Sequence, residues 1–492
     1  MRKFLIILIF AFGFSQTYPV KISDKALDPV NQPAEPFDGV NWEYEVVDSA
    51  ACPKFNSLAI DANNIPHIVY DKIYMKSVAY AHRSDGFWQK EMVDSAYLFF
   101  GFSVICNSNN NPHISYYVCK DSSLSKTYIC HGYPQDNWII DTLDSIAGWL
   151  GNYFGSIKSS IDLDTSDLPG IAYIAWNVAD SLHYIKYAHY NGIDWDTSIV
   201  ARDTTWHHRY PLDYSPSLKF VHESTPHIAF HRIRGDTDTI KIGYYDDTLN
   251  TWIISPAVCY PYGGYPVSLA LSSQDYPCIA HGWGAAVAYS WWDSLSWYTE
   301  STGTTMGWID IRIVLDLDSL DNPHIAYLPD PMVAHPCYSY KQNGIWYNCG
   351  WIEPDSSTLT VDVDISFALD NNDQPHVCYP AQTSNGYFKY AKGTFTGIEE
   401  NNVRSQLNVA LICFPSLTKT NATLRYTLPQ EAKISLSLYD NLGRLTKNIY
   451  AGERTAGTYS QKVSLKELPC GVYHLLLKTP GKTITRKIVK LE

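Results

Sequence analysis

The sequence predicts an all-β protein: a seven-bladed β-propeller followed by an Ig-like β-sandwich. Three observations carry this: a short signature that recurs seven times, a strand missing from the last unit but present ahead of the first, and a change of charge after residue 402. The signature is Pro followed by His-Ile-(Ala/Ser/Val)-(Tyr/Phe). Its copies begin at Pro66-His67, Pro112-His113, Pro169-Gly170, Pro226-His227, Pro277-Cys278, Pro323-His324 and Pro375-His376, at separations of 46, 57, 57, 51, 46 and 52 residues. Repeats of this length suit one β-sheet each.

The register extends upstream of each Pro. Nine residues before it stand Ser57, Ser103, Ser160, Ser217, Ser268, Val314 and Ser366; five before it stand Asp61, Asn107, Asp164, Val221, Ser272, Asp318 and Asp370. Downstream comes an alternating run with a Tyr, then a turn and, in the first six units, Trp88, Trp138, Trp195, Trp252, Trp297 or Trp346. Period-two alternation between Asn/Asp/Pro turns reads as four short strands per unit, of the type Ser57 to Asp61, His67 to Tyr70, Ser77 to His82 and Trp88 to Asp94. The seventh unit has no Trp strand, whereas Trp42 to Asp48 resembles Trp88 to Asp94. A ring of sheets must cover its edges, so the N-terminal strand is expected to complete the last blade.

The expected organisation is a signal peptide at 1–15, a linker at 16–40, the propeller at 41–397, a second linker at 398–405 and the tail at 406–492. Arg2 and Lys3 precede the apolar run Phe4 to Phe14, with small residues after it, as in a secretory signal cleaved near Gln16. Eleven apolar residues are too few to cross a bilayer, and no later run approaches the ~18 needed, so no transmembrane segment is expected. The chain has 37 Lys+Arg against 50 Asp+Glu. Nucleic acid is therefore not an expected partner, because phosphate binding needs a basic surface. The eleven cysteines show no CxxC pair, so they read as buried thiols or, in hairpins such as Cys337 and Cys349, as cross-strand disulfides.

Residues 403–492 hold 14 Lys+Arg against 5 Asp+Glu, net +9, while 16–402 carry −24. About seven strands follow one another here in an Ig-like pattern. Thr423-Leu-Arg-Tyr-Thr-Leu-Pro429, Ile434 to Asp440 followed by Leu442-Gly443-Arg444, Ala456-Gly-Thr-Tyr459, Gly471-Val-Tyr473 and Thr485 to Lys490 resemble the type A C-terminal sorting domain of type IX secretion cargo. The tail departs from that pattern at Phe414-Pro415-Ser416 and at Pro469-Cys470. The resemblance implies passage across an outer membrane, the secretion machinery as a partner, and an extracellular or surface location.

A group needed in every sheet is structural, whereas a catalytic group is needed once; His67, His113, His227, His324 and His376 are accordingly read as fasteners between strands. Asp162-x-Asp164-x-x-Asp167 and Asp316-x-Asp318-x-x-Asp321 offer oxygens of the kind Ca²⁺ takes, but without the Gly and Glu of an EF-hand loop. The sequence requires no cofactor. It contains no GxSxG, HExxH or phosphate loop, no sialidase-type Asp box, and no catalytic residue is assigned. Residues outside the repeat are more informative, because insertions carry function on a repeated scaffold. Trp149, Tyr153, Trp206, His207, Arg209, Tyr210, Tyr262 and Trp308, with Tyr97 to Phe100 beside them, precede the first strands of successive units and should surround one mouth of the channel. Aromatic faces next to polar donors on an acidic concave surface suit stacking on sugars or gripping an extended peptide. The function expected is a secreted or cell-surface propeller that binds a glycan or an extracellular protein. The alternatives are a hydrolase or lyase acting on extracellular polysaccharide, and a structural surface-layer component.

Overall fold

The computed structural model describes residues 39–395 and 410–490, together with Lys21–Ile22. Outside the description lie 148–156, 204–214, 306–311, 330–334, 354–363, 382–386 and several shorter stretches of four residues or fewer. The predicted signal peptide lies outside it as well. Contacts divide the chain into two units, Met1–Thr396 and Gly397–Glu492.

The first unit is a propeller of seven antiparallel four-stranded sheets. The blades, numbered along the chain, occupy 56–95, 98–147, 160–203, 217–260, 267–305, 312–351 and 366–395. In blades 1 to 6 the four strands follow sequence order; in blade 1 they are Asn56–Ile60, Pro66–Lys72, Ser77–Ser84 and Phe87–Ser95. Blade 7 takes its fourth strand from the start of the chain. Val40–Asp48 pairs antiparallel with Tyr387–Phe395, with Glu43 opposite Lys392, Tyr44 opposite Ala391 and Glu45 opposite Tyr390. Blade 5 also carries Lys21–Ile22 in parallel against Tyr298 and Thr299. No helix occurs among the described residues.

Alternation along the strands decides what packs between blades. Ile68, Tyr70, Ile114, Tyr116, Ile171, Tyr173, Ile228, Ile279, Ile325, Val377 and Tyr379 of the second strands are buried. Burying such side chains stabilises by about 1.5–3 kcal/mol each. The repeated polar residues then fasten blade to blade. The hydroxyls of Ser57, Ser103, Ser160, Ser217 and Ser268 accept the backbone N–H of Val104, Ile161, Leu218, Leu269 and Leu315 of the following blade, at 2.9–3.2 Å. Val314 interrupts the series for want of a hydroxyl, and Ser366 donates to Asn56 Oδ1 instead.

The turn joining the first and second strands makes a second ring. Its Asp, Asn or Ser caps the turn; Asp61 Oδ1, for example, accepts the N–H groups of Asn63 and Ile65 at 2.9 and 2.8 Å. Two residues before each Pro the backbone is left-handed, at Asn64, Asn110, Asp167, Ser224, Asp275, Asp321 and Asp373, with φ between 59 and 64°. Each of these side chains accepts a backbone N–H from the preceding blade: Ala62 to Asn110, Ser108 to Asp167, Thr165 to Ser224, His222 to Asp275, Ser273 to Asp321, Ser319 to Asp373 and Asn371 to Asn64. The last of these joins blade 7 to blade 1. Asn and Asp tolerate the left-handed region and supply the acceptor at once.

The second unit consists of two sheets, three-stranded (Ala410–Phe414, Asn421–Leu428, Gly457–Ser464) and five-stranded (Leu417–Thr418, Thr483–Lys490, Gly471–Lys478, Ala432–Asp440, Leu445–Arg454). Leu411, Leu424, Tyr426 and Leu428 of the first meet Ile434, Leu436, Leu438, Leu475, Leu477 and Ile488 of the second in one core.

Candidate functional site

Strand polarity gives the propeller two unlike ends. The first strand of every blade runs from one end to the short turn at the other. Connections from second to third strand, and from each blade to the next, therefore gather at one end, the loop end. The opposite end carries only turns of a few residues, such as Ser84-Asp85-Gly86-Phe87. All eight site residues expected from sequence, Trp149, Tyr153, Trp206, His207, Arg209, Tyr210, Tyr262 and Trp308, belong to blade-to-blade connections and lie outside the described residues. Their neighbours Phe99 and Phe100 do not serve a mouth. They are 0% and 3% exposed, and Phe100 stacks on Tyr117 at 5.0 Å. Gly101, at φ 68°, bulges the first strand of blade 2 and turns both rings inward. Trp351, 52% exposed and stacked at 4.1 Å on buried His335, is an aromatic group of the loop end that sequence reasoning passed over.

Inside the ring the first strands enclose a cavity of about 310 Å³. Side chains at every second position face it in layers. The middle layer is the serine ring. Two residues earlier stand Phe55, Gly101, Lys158, Ser215, Pro266, Arg312 and Asp364; two residues later stand Ala59, Ile105, Asp162, Lys219, Ala270, Asp316 and Ala368. Sequence analysis named only Asp162 and Asp316 of these six charged residues, as members of acidic clusters, and gave no role to the other four. The signal that marks all six is departure from the repeat, because the other blades carry small, apolar or hydroxyl side chains at these places.

At the loop end Lys158 of blade 3 reaches Asp364, which precedes blade 7 on the far side of the ring, at 2.8 Å. Arg312 of blade 6 approaches the same oxygen at 3.2 Å. Asp364 is 1% and Arg312 6% exposed. The contact is ionic, since neither Asp364 oxygen nor Arg312 Nε has hydrogen-bond geometry. Asn56 Nδ2 donates to the Asp364 carbonyl at 3.0 Å. Deeper in, Asp162 Oδ2 accepts the Phe220 N–H at 2.8 Å, and Asp316 accepts those of Leu317 and Leu369 at 2.9 and 3.0 Å. Burial raises the Asp162 pKa, and the carboxylates of Asp162 and Asp316 raise that of Lys219, holding its ammonium charged.

The histidines are fasteners with identifiable partners. His67, His324 and His376 face Asp61, Asp318 and Asp370 through Nε2 at 3.3, 3.5 and 3.3 Å and a tyrosine hydroxyl through Nδ1. Where Gly170 replaces the histidine, His189 lies opposite it on the third strand and meets Asp164 at 3.1 Å. Desolvation holds His113, His281 and His376 near 4, so these rings stay neutral. Among the described residues no three His, Cys, Asp or Glu are grouped to hold a metal ion. Asp164 and Asp167 of the first acidic cluster are instead taken by His189 and Ser108. The eight cysteines whose side chains are described are free, and Cys337 stands opposite Trp351 rather than Cys349.

No curated protein sequence matches the chain. Among solved structures it is similar to the BP39L lectin from Burkholderia pseudomallei (10% identity, 70% of this chain and 97% of that one, TM-score 0.48). It is also similar to the α-L-arabinanase of Penicillium chrysogenum (9%, 71% and 96%, 0.40) and to AofleA from Arthrobotrys oligospora (10%, 70% and 96%, 0.40). Residues 413–491 match the secretion system C-terminal sorting domain. No helix among the described residues is long and apolar enough to cross a membrane. The second unit is therefore a type IX C-terminal sorting domain, a partner of that secretion machinery, and the chain is exported to the cell surface or the extracellular space.

Proposed function

We propose that the exported propeller is a glycan-binding protein whose ligand enters at the loop end. The observation that carries this is the asymmetry of the ring. One end carries seven interlocked short turns, while the other gathers every long connection, and the first strands between them enclose a cavity of about 310 Å³. Function concentrates where a rigid scaffold presents variable loops. The connections there carry Trp149, Trp206 and Trp308, and aromatic faces suit the apolar faces of sugar rings. The repeated histidines and carboxylates are committed to holding blades, and binding without turnover fits that commitment. The test is retention of the protein on a panel of immobilised polysaccharides. Replacing Trp149, Trp206 and Trp308 together by Ala should abolish retention and leave the thermal melt within a degree or two. Retention of the triple variant at wild-type strength would refute the assignment, and release of shortened product would make the propeller an enzyme.

A further inference from the structure

Five of the propeller's fourth strands share one irregularity. In blades 7, 1, 2, 3 and 4 the residue five places after the strand's Trp drops out of the pairing: Val47, Val93, Leu143, Val200 and Ala257. It is buried in all but Leu143, which is half-buried. In blades 7, 1 and 2 the next residue, Asp48, Asp94 or Asp144, accepts a tyrosine hydroxyl of the following blade at 2.9–3.0 Å. Blade 6 departs from this. Its counterparts are Ile352, 1% exposed, and Glu353, which accepts the Tyr379 hydroxyl of blade 7 at 3.0 Å, and both come one place later counted from Trp346. The extra residue is taken up at Cys349-Gly350, opposite Tyr338, where Gly350 is left-handed at φ 66°. Trp351 follows directly. The place it takes in the pairing belongs to Val46, Met92, Thr142, Ile199, Pro256 and Ser301 in the other blades, none of them aromatic. The scaffold closes six times without an indole here, and an inserted residue is the means by which a strand re-aims a side chain.

Trp351 is also held in place. The His335 imidazole stacks on it at 4.1 Å with the planes 20° apart, yet Trp351 is 52% exposed, so its opposite face is open to solvent. The Ile352 N–H donates to the Pro336 carbonyl at 2.7 Å, and the Ile352 carbonyl accepts the hydroxyl of Tyr44, 43% exposed on blade 7, at 2.5 Å. We infer that the open face of Trp351 is a stacking platform for a neutral hexopyranose ring of the glycan, at the rim between blades 6 and 7 with Tyr44 beside it; this rests on the glycan reading above. The C–H face of such a ring matches an indole face, and a ring already fixed by its neighbours has little side-chain freedom left to lose on binding. Two residues on, Glu353 pairs with Lys389 and with Tyr379, a group of acceptors and donors suited to sugar hydroxyls. The pair compensates its own charge inside a unit of net charge −24, which favours an uncharged sugar over an acidic one.

The test titrates the exported full chain with cellohexaose, mannohexaose and maltohexaose by calorimetry. At least one hexaose is expected to bind, with Trp351→Ala weakening it about ten-fold and Trp351→Phe, which keeps a smaller ring, weakening it less. Because Trp351→Ala uncovers His335 and can loosen the strand, a second measurement uses the unaltered protein. Bound hexaose should slow hydroxyl-radical oxidation of Trp351, read by peptide mass mapping, and leave that of Phe87, 72% exposed at the opposite end, unchanged. Binding of no hexaose overturns both this inference and the glycan reading. Binding that keeps its strength in Trp351→Ala, or that leaves oxidation of Trp351 unslowed, overturns the inference and leaves the glycan reading standing. Slowed oxidation that follows protein concentration and ignores the sugar makes Trp351 a contact between copies, and overturns the inference as well.

Discussion

A single imidazole shows how one residue type does structural work throughout the ring. His376 is 1% exposed, and it joins the capping Asp370 to Tyr390 of the third strand while remaining neutral. Folding lowers its pKa from about 6.5 to about 4, so the unfolded chain takes up the proton first as the medium is acidified. The contribution is fully present above pH 6.5 and is lost as pH falls toward 4; for His376 it amounts to on the order of 2–3 kcal/mol. The melting temperature of the wild type should therefore fall more steeply between pH 6.5 and 4 than that of His376→Gln. Parallel curves would show that the ring is not buried neutral. The recurrence of these histidines was legible because a fastener must appear in every unit. Their partners were not, since Asp164 finds its imidazole at His189, on a strand the signature does not cover. Only the antiparallel register, which sets His189 opposite Gly170, supplies that link.

At the level of strands, the tryptophans act between blades. Trp88, Trp195, Trp252 and Trp346 donate Nε1 to Glu45, Asp141, Ser198 and Glu300 on the fourth strand of the preceding blade. Each acceptor stands three residues after that blade's own Trp, so this spacing was present in the sequence although it was not read there. Glu300 also receives the Lys341 ammonium, which lies over Trp291 at 5.2 Å. Removing this shared acceptor with Glu300→Ala should cost about 1–3 kcal/mol, measured by denaturant unfolding, because hydrogen bonds to a charged group are the stronger kind. A change below about 0.3 kcal/mol would mean that ring packing alone seats the fourth strand. The misreading of Phe99 and Phe100 has its cause at the same scale. An aromatic run next to a connection looks like a loop until a bulge extends the strand through it, and the glycine that makes the bulge carries no hydrophobic signal.

For the molecule, the seven copies and the displaced Trp42 strand made the propeller legible, because a sheet with an open edge needs its missing strand from somewhere. The lumen charges were less so. Lys158, Arg312 and Lys219 belong to different blades, far apart in sequence, and only closure of the circle gathers them round one channel with Asp162, Asp316 and Asp364. Every functional statement about the loop end thus depends on the ring being closed by the N-terminal strand. The direct test is zero-length carbodiimide coupling of the native protein followed by peptide mass mapping. Glu43 and Lys392 face each other across the pair of strands, at a Cβ separation of about 5 Å for such neighbours. Closure predicts an amide linking Glu43 to Lys392, whereas coupling of Lys392 only to the nearby Asp370, with Glu43 unmodified or joined to another lysine, would contradict it.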